Sequence, residues 1–99
     1  MNQKYEITDI VHPQYPWLHR IRALRDVRED VHAGDLGGFV QSEENLSQEG
    51  QCWVANNAVA AEESYISGDA IMWDYSCARG CAVISGKSRI GGELSLIHI

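Results

Sequence analysis

The chain has 99 residues, with 14 acidic and 8 basic side chains and a formal net charge of -6. A chain of this size forms one domain or part of one, and it buries only about two thirds of its unfolded surface. Its acidic balance disfavours non-specific binding to nucleic acid or to an anionic membrane. Neither a membrane span nor a signal peptide is readable in the sequence, so we expect a cytoplasmic protein with no membrane partner.

The first half of the chain, residues 1–49, is predicted to be a β-rich cap. The stretches KYEIT and HRIRAL have the β-branched, aromatic and alternating content of strands, and Pro13 and Pro16 mark a loop between them. The run AGDLGGF predicts tight backbone turns at its glycines. It does not form the GxGxxG pattern, so it gives little support to a phosphate-binding loop.

Half of the basic side chains lie close together in the cap, and they make up a candidate basic patch: Arg20, Arg22, Arg25 and Arg28. Such a patch is one route to binding nucleic acid or a host protein. Seven acidic residues lie between positions 26 and 49, however, so surface ion pairing is the preferred interpretation. We expect no nucleic-acid partner.

From residue 50 the chain follows a six-residue repeat. Cut in sixes, it reads GQCWVA, NNAVAA, EESYIS, GDAIMW, DYSCAR, GCAVIS and GKSRIG, with no insertion. The third place is always small, the fifth is always apolar, and the first mostly holds residues that turns select. The third and fifth places of an extended strand point to the same side. Each hexad therefore predicts a short strand and a corner, stacked on its neighbours in a β-solenoid.

An aliphatic residue followed four places later by a small one resembles the hexapeptide repeat of left-handed parallel β-helices, here over residues 50–91. In that family three hexads form one triangular coil. The resemblance implies that residues eighteen apart stack, with Val54, Met72 and Ile90 in one column and Ile66 and Ile84 in another. The third-place serines would then pack inside, with each hydroxyl bonded to backbone: Ser64, Ser76 and Ser88.

The fourth place of each hexad holds mostly strand-forming residues, whose side chains should point outward. A row of outward apolar groups on a solenoid is typical of a partner surface. The candidate partner face consists of two stacked pairs, Trp53 with Ile71 and Tyr65 with Val83. We expect self-association through one of these flat faces or through an open end of the solenoid.

Three stretches taken in order resemble the amino-terminal signature of the YdcK-like proteins: HRIRALRDV, HAGDLGGFVQSEENLSQEG and CWVANNA. These are phage and enterobacterial β-helix proteins, often labelled transferases by fold analogy, and the match covers residues 5–61. The resemblance implies a phage or prophage origin and no particular catalytic residue. It also implies that four cap residues close the first coil, where strand edges and core would otherwise be exposed: Leu36, Phe39, Val40 and Leu46.

The hexad pattern breaks after Gly92. Leu94 stands where every earlier hexad has a small residue, and the ending LSLIHI is what one frame of the transposase end used in DNA library preparation would encode. We therefore expect coils over residues 50–93 and a non-native tail over residues 94–99, with the gene continuing past Gly92. A short apolar closing strand is the alternative interpretation.

The fold prediction is thus all-β, a single-stranded left-handed parallel β-helix preceded by a β-rich cap. The preferred functional hypothesis is a non-catalytic structural or interaction module, because packing and turns account for all of residues 50–91. We expect no catalytic residue, no cofactor and no metal site. The cysteines, which contain no CxxC pair, indicate neither a disulfide framework nor zinc binding: Cys52, Cys77 and Cys81.

Two alternatives remain open. One is an acyltransferase of the hexapeptide-repeat class, which would take an acyl-coenzyme A donor and use a histidine as general base. All four histidines lie outside the hexads, at His12, His19, His32 and His98. The other alternative is a nucleic-acid or host-protein binder that acts through residues 20–28.

Overall fold

A computed structural model describes residues 3–91 together with the backbone of residues 96–98. The strands of this described part are β1 Tyr5–Val11, β2 His19–Ala23, β3 Leu36–Val40, β4 Trp53–Val54, β5 Val59–Ala60, β6 Tyr65–Ile66, β7 Ile71–Met72, β8 Cys77–Arg79, β9 Val83–Ile84, β10 Arg89–Ile90 and β11 Leu96–His98. One short 3-10 helix, Glu43–Asn45, follows β3. The protein is all-β, as the sequence predicted. Within the described residues no helix is long and apolar enough to cross a membrane.

The cap is an antiparallel meander of β1, β2 and β3. Both strands predicted from KYEIT and HRIRAL are present. The prediction of turns throughout AGDLGGF is wrong in part, because Gly37 and Gly38 lie inside β3. A Cβ atom would lie 2.6 Å from the Val54 carbonyl oxygen at Gly37 and 2.4 Å from the Ala58 carbonyl oxygen at Gly38. These glycines allow β3 to pass close to the backbone of the coil.

The hexads form three columns of parallel strands. Each strand pairs with the one eighteen residues later, in the columns β4–β7–β10, β5–β8 and β6–β9. The register places Val54, Met72 and Ile90 together, and Ile66 beside Ile84, so the predicted stacking is confirmed. The second column continues from β3 and ends at β11, which makes the largest sheet a mixed one of six strands.

A continuous backbone ladder joins one coil to the next. Every second amide from Gln51 to Trp73 donates to a carbonyl seventeen residues later, through strands and corners alike. Third-place amides, such as those of Ala58 and Ser64, instead donate to the carbonyl three residues back and close each corner. The two-residue strands are therefore only the flattest parts of an extended ladder that satisfies the backbone.

The corners explain the first place of the hexads. All seven first-place residues have a left-handed backbone, with φ between +56° and +73°: Gly50, Asn56, Glu62, Gly68, Asp74, Gly80 and Gly86. Glycine adopts this conformation freely, and Asn and Asp tolerate it better than other residues. Glu62 is the residue least suited to it.

The third and fifth places face the interior from Cys52 to Ile84, as predicted, but the prediction of an inward Ser88 is wrong. From Cys52 to Ile84 every residue at these places is buried, whereas Ser88 is exposed and Ile90 is half-buried. The hydroxyl groups of the third-place serines donate to backbone carbonyls, also as predicted: Ser64 to Ala61 and Ala78, Ser76 to Trp73 and Ile90, and Ser88 to Ser85.

The cap closes the first coil and shares one hydrophobic core with the hexads. Three of the four residues expected to close the coil are buried, namely Phe39, Val40 and Leu46. The fourth, Leu36, is 52% exposed, because it lies where β3 begins and borders an open groove. The division into a cap over residues 1–49 and coils over residues 50–93 stays a prediction.

The predicted tail, residues 94–99, lies largely outside the described part of the chain. Its central residues form β11, which runs parallel to β8 and pairs Leu96 with Cys77. This spacing is nineteen residues and not the eighteen of the coils. The pairing does not test whether the tail is native.

Candidate interaction surface

The first coil face carries Trp53 and Ile71, one half of the predicted partner face. Trp53 is only 1% exposed and Ile71 only 8%. The ring of Tyr5 meets the Trp53 indole edge-on at a centroid distance of 6.4 Å, and Gly37 lies against the same indole. The prediction of an exposed apolar row is therefore wrong for this pair, because both side chains are buried and Trp53 packs against Tyr5 and Gly37 of the cap.

A groove of about 510 Å³ lies beside this buried pair, between the coil face and the loop before β3. Its polar lining includes Asp30, Asp35 and Arg89, and the Trp73 indole also lines it. Asp35 accepts a hydrogen bond from the His32 amide at 2.9 Å. These groups carry both signs of charge, so the groove does not select one class of ligand.

The second coil face carries Val59 and Cys77. Leu18 and Phe39 from the cap pack against Val59, with Cys77 at the margin of the same cluster. Burial raises the pKa of the Cys77 thiol, which keeps it protonated near neutral pH. This face is covered as well.

The third coil face carries Tyr65 and Val83, the other half of the predicted partner face. Tyr65 is 40% exposed and Val83 is 66% exposed, and the two residues are direct partners in the β6–β9 pair. Beside them the Cys81 thiol donates to a Glu63 carboxylate oxygen at 3.2 Å, a contact that raises the pKa of Cys81. We call the surface of Tyr65 and Val83 the open face, since the described part of the cap does not cover it.

Two arginines of the candidate basic patch tie the cap to the coils. The Arg20 guanidinium donates to the carbonyl oxygens of Gly37 at 2.7 Å and of Asn56 at 3.0 Å. Arg28 donates to the Gln51 carbonyl oxygen at 2.8 Å. Both contacts hold corner residues of the first coil, so these guanidinium groups have structural partners already.

The other two arginines also find partners within the chain. Arg22 forms an ion pair with Glu6 on the neighbouring strand, and Arg25 lies 3.5 Å from the Gln48 carbonyl oxygen. Ion pairing was the preferred interpretation for the four arginines, and it holds for Arg22 and for Arg28, whose Nε lies 3.9 Å from Asp30 Oδ1. The geometry does not add support to a nucleic-acid surface.

The histidines differ in their suitability as a general base. The Nδ1 of His12 accepts the Gln14 amide at 3.0 Å, so the proton of the neutral ring lies on Nε2, and no lone pair is left there to accept another. The Nδ1 of His19 lies 3.2 Å from the Thr8 carbonyl oxygen, to which it must donate. The Nε2 of His19 therefore keeps a lone pair, as a general base requires.

Two groups that matter for the cap give no signal in the sequence. The Lys4 side chain is fully buried, and its ammonium donates to the Cys52 carbonyl oxygen at 2.8 Å and lies 3.1 Å from the Cys52 sulfur. Burial lowers the pKa of Lys4. Asn45, also fully buried, donates to the carbonyl oxygens of Glu62 and Ser64.

The Tyr5 hydroxyl is also buried, and it donates to the Leu46 carbonyl oxygen at 2.6 Å. Burial is the main cause of the raised pKa of Tyr5. Across the described residues no three metal-ligating side chains come together, and the cysteines there are free thiols.

Comparison with known proteins gives one informative relative. The chain is 43% identical over 76 residues to a protein of Escherichia coli strain K12 described as "Uncharacterized acetyltransferase YdcK". The alignment covers 76% of this chain and 18% of that protein. No protein-family model matches the chain, and no solved structure matches it. The similarity supports a YdcK-like relationship.

Proposed function

We propose that this chain is a non-catalytic β-solenoid module that binds a protein partner through the open face. One observation carries the proposal: the cap covers two of the three coil faces and leaves Tyr65 and Val83 exposed. Exposed apolar side chains in register on a flat surface are typical of protein contacts.

The coils of this module are left-handed in the proposal, as in the hexapeptide-repeat family. The support is the six-residue period, the eighteen-residue register and the left-handed backbone at each corner. An experimental structure of the chain tests the hand directly. Coils that wind to the right would overturn this part of the proposal.

The partner expected first is a second copy of the chain. A two-fold axis through the open face would bring Tyr65 of one copy over Val83 of the other, which is the self-complementary geometry of an isologous interface. Both side chains are large enough for this contact, and neither is needed to satisfy the backbone ladder.

Sedimentation velocity over a range of concentrations tests self-association. The wild-type chain should shift from monomer to dimer, and Val83→Lys should remain monomeric. Leu24→Lys is the matched control, because Leu24 is an exposed apolar residue of the cap, and it should associate like the wild type. A wild-type chain that stays monomeric, or a Val83→Lys chain that still dimerises, contradicts the proposal.

Acetyl transfer is the second candidate, and the similarity to YdcK, described as an acetyltransferase, favours it. In this chain His19 would be the base, since its Nδ1 contact leaves Nε2 free to accept a proton. Because the chain spans 18% of the relative, the activity of the whole relative does not pass to it directly.

Calorimetric titration with acetyl-coenzyme A, followed by an assay for released coenzyme A thiol, distinguishes the two candidates. The assay includes a primary amine as the acceptor, which takes the acetyl group as the thiol leaves. Binding together with amine-dependent thiol release that is lost in His19→Ala but kept in His32→Ala would favour acetyl transfer. Absence of both binding and release would favour the non-catalytic module.

A further inference from the structure

A small pocket borders Phe39, near the end of β3, whereas the groove described above borders Leu36 at its beginning. Its volume is about 320 Å³, and its lining includes His12, Gln14, Arg20, Phe39, Asn57 and Tyr75. The pocket forms where the proline-containing loop after β1 meets the second corner of the coils. Apart from Arg20, which belongs to the candidate basic patch, none of its lining residues enters the functions considered above.

Aromatic rings form one side of the pocket. The rings of His12 and Phe39 meet edge to face at a centroid distance of 4.7 Å, and the Arg20 guanidinium lies 4.3 Å from the centroid of Phe39. Tyr75, at 59% exposure, stands at the mouth. Phe39 itself is only 3% exposed, so a planar ring in the pocket would contact the more exposed rings of His12 and Tyr75 by stacking or edge contacts.

The polar groups of the pocket are held by contacts within the chain, which engage three of the five N–H groups of Arg20 and leave two as donors. Arg20 is held by the Gly37 and Asn56 carbonyl oxygens, and its other terminal nitrogen donates to Asn57 Oδ1 at 3.0 Å. With Oδ1 engaged, the side chain of Asn57 offers its NH₂ group. The ring of His12 offers Nε2–H, because Nδ1 accepts the Gln14 amide.

The charge of the pocket is positive although the chain as a whole is acidic. The lining contains no carboxylate, and a guanidinium is always protonated. Burial and the nearby Arg20 lower the pKa of His12, so its ring adds no charge at neutral pH. A ligand with two acceptor oxygens and one negative charge matches these donors.

We propose that this pocket binds a small aromatic carboxylate, with its ring against His12 and Tyr75 and its carboxylate on Arg20 and Asn57. The proposal is independent of the open face, because none of the lining residues lies on β6 or β9. It also differs from acetyl transfer, since no covalent step is involved.

Isothermal titration with benzoate tests the proposal, with benzamide as the neutral analogue and cyclohexanecarboxylate as the non-aromatic one. Benzoate should bind at least about tenfold more tightly than either analogue, a difference of about 1.4 kcal/mol. Amide chemical shifts of Arg20, Asn57 and Tyr75 should move together during the titration.

Two variants test where the ligand binds without disturbing the backbone ladder. Asn57→Asp puts a carboxylate beside Arg20 and should weaken benzoate binding at least about tenfold, while its melting temperature stays near that of the wild type. Asn56→Asp is the matched control, because it makes the same charge change one residue away, outside the lining of this pocket. Tyr75→Ala should also weaken binding.

No benzoate binding at millimolar concentration would overturn the proposal. So would equal binding by wild type and Asn57→Asp, or equal affinity for benzoate and benzamide. Equal loss of binding in Asn56→Asp and Asn57→Asp would place the ligand elsewhere and would overturn it too.

Discussion

Backbone carbonyl groups need hydrogen-bond donors in both the coils and the cap, and the two regions supply these donors differently. In the coils, each amide that points toward the next coil finds a carbonyl seventeen residues later, and one short pattern repeats this contact. In the cap, the carbonyls of the first coil have no preceding coil above them. Non-repeating groups supply the missing donors there, including the side chains of Lys4, Arg20 and Asn45.

The difference shows how a stack of parallel strands can begin without leaving an open edge. The backbone amides of Phe39, Gln41 and Ser47 donate to those carbonyl oxygens of the first coil that a neighbouring strand can reach. Long side chains serve the corners, where a strand does not fit. An unpaired buried carbonyl costs about 1–3 kcal/mol, so the loss of any one donor should lower the free energy of unfolding by a measurable amount. The cap therefore depends on individual residues, whereas the coils depend on a pattern.

The largest expected effect is in the coils. Ile66→Asp places an unpaired carboxylate in a fully buried column and should lower the free energy of unfolding by about 3–5 kcal/mol. Tyr65→Asp, one residue earlier and facing outward, should cost far less. Urea denaturation measures both variants. Equal midpoints would contradict the inward assignment of the fifth place.

A smaller but still large effect is expected in the cap. Asn45→Ala removes the donor for the carbonyls of Glu62 and Ser64 and the acceptor for the amides of Gln41 and Ser42, at about 2–4 kcal/mol. Asn45→Asp keeps the acceptor but loses the donor. Thermal unfolding should show Asn45→Asp also destabilised, and wild-type stability in that variant would show that the donor is unimportant.

Two substitutions at the corners should change the free energy of unfolding in opposite directions. Gly68→Ala should cost about 1–3 kcal/mol, because φ is +67° and the added Cβ would lie 2.9 Å from the Gly86 nitrogen. Glu62→Gly relieves the same left-handed strain and should gain about 0.5–1 kcal/mol. Denaturant midpoints of the two variants check the signs, and destabilisation in both would mean that corner strain does not select the first place.

The smallest effect is a pH dependence at Lys4. Its pKa is lowered in the folded state by burial, while in the unfolded state it is near 10.5. As pH rises from the folded pKa toward 10.5, the unfolded chain binds more protons than the folded one, so stability increases. Tyr5 has the opposite sign because its folded pKa is raised, but it is present in both chains when wild type is compared with Lys4→Met.

The free energy of unfolding of wild type minus that of Lys4→Met should therefore rise between neutral and alkaline pH. A difference that stays flat over this range would mean that the ammonium is not buried in solution. A falling difference would mean that a partner, and not burial, controls the Lys4 pKa.

The sequence alone was sufficient to predict how the hexads stack, because their structure repeats. Small residues such as Ala58 and Ala70 and aliphatic ones such as Ile66 recur at fixed places, and the eighteen-residue stacking followed from them. The first-place preference for Gly, Asn and Asp follows from the backbone at the corners. A residue pattern that recurs in seven hexads is stronger evidence for a structure than a pattern that occurs once.

The tertiary structure decided which outward groups are exposed. Trp53 and Tyr65 occupy the same place in their hexads, yet the first is buried and the second is exposed. Nothing within either hexad distinguishes them, since the difference lies in where β1, β2 and β3 cross the coils. The sequence thus predicted the exposure of Tyr65 and Val83 and missed the burial of Trp53 and Ile71.

The same reason explains the residues that sequence reasoning overlooked. Lys4 is buried because its ammonium reaches the Cys52 carbonyl from forty-eight positions away, and Asn45 because its amide spans two carbonyls of a later hexad. Such contacts form between segments far apart in the chain and follow no period. The sequence by itself determined the repeating coils, and only the packing of the cap against them decided which groups are buried, paired or open.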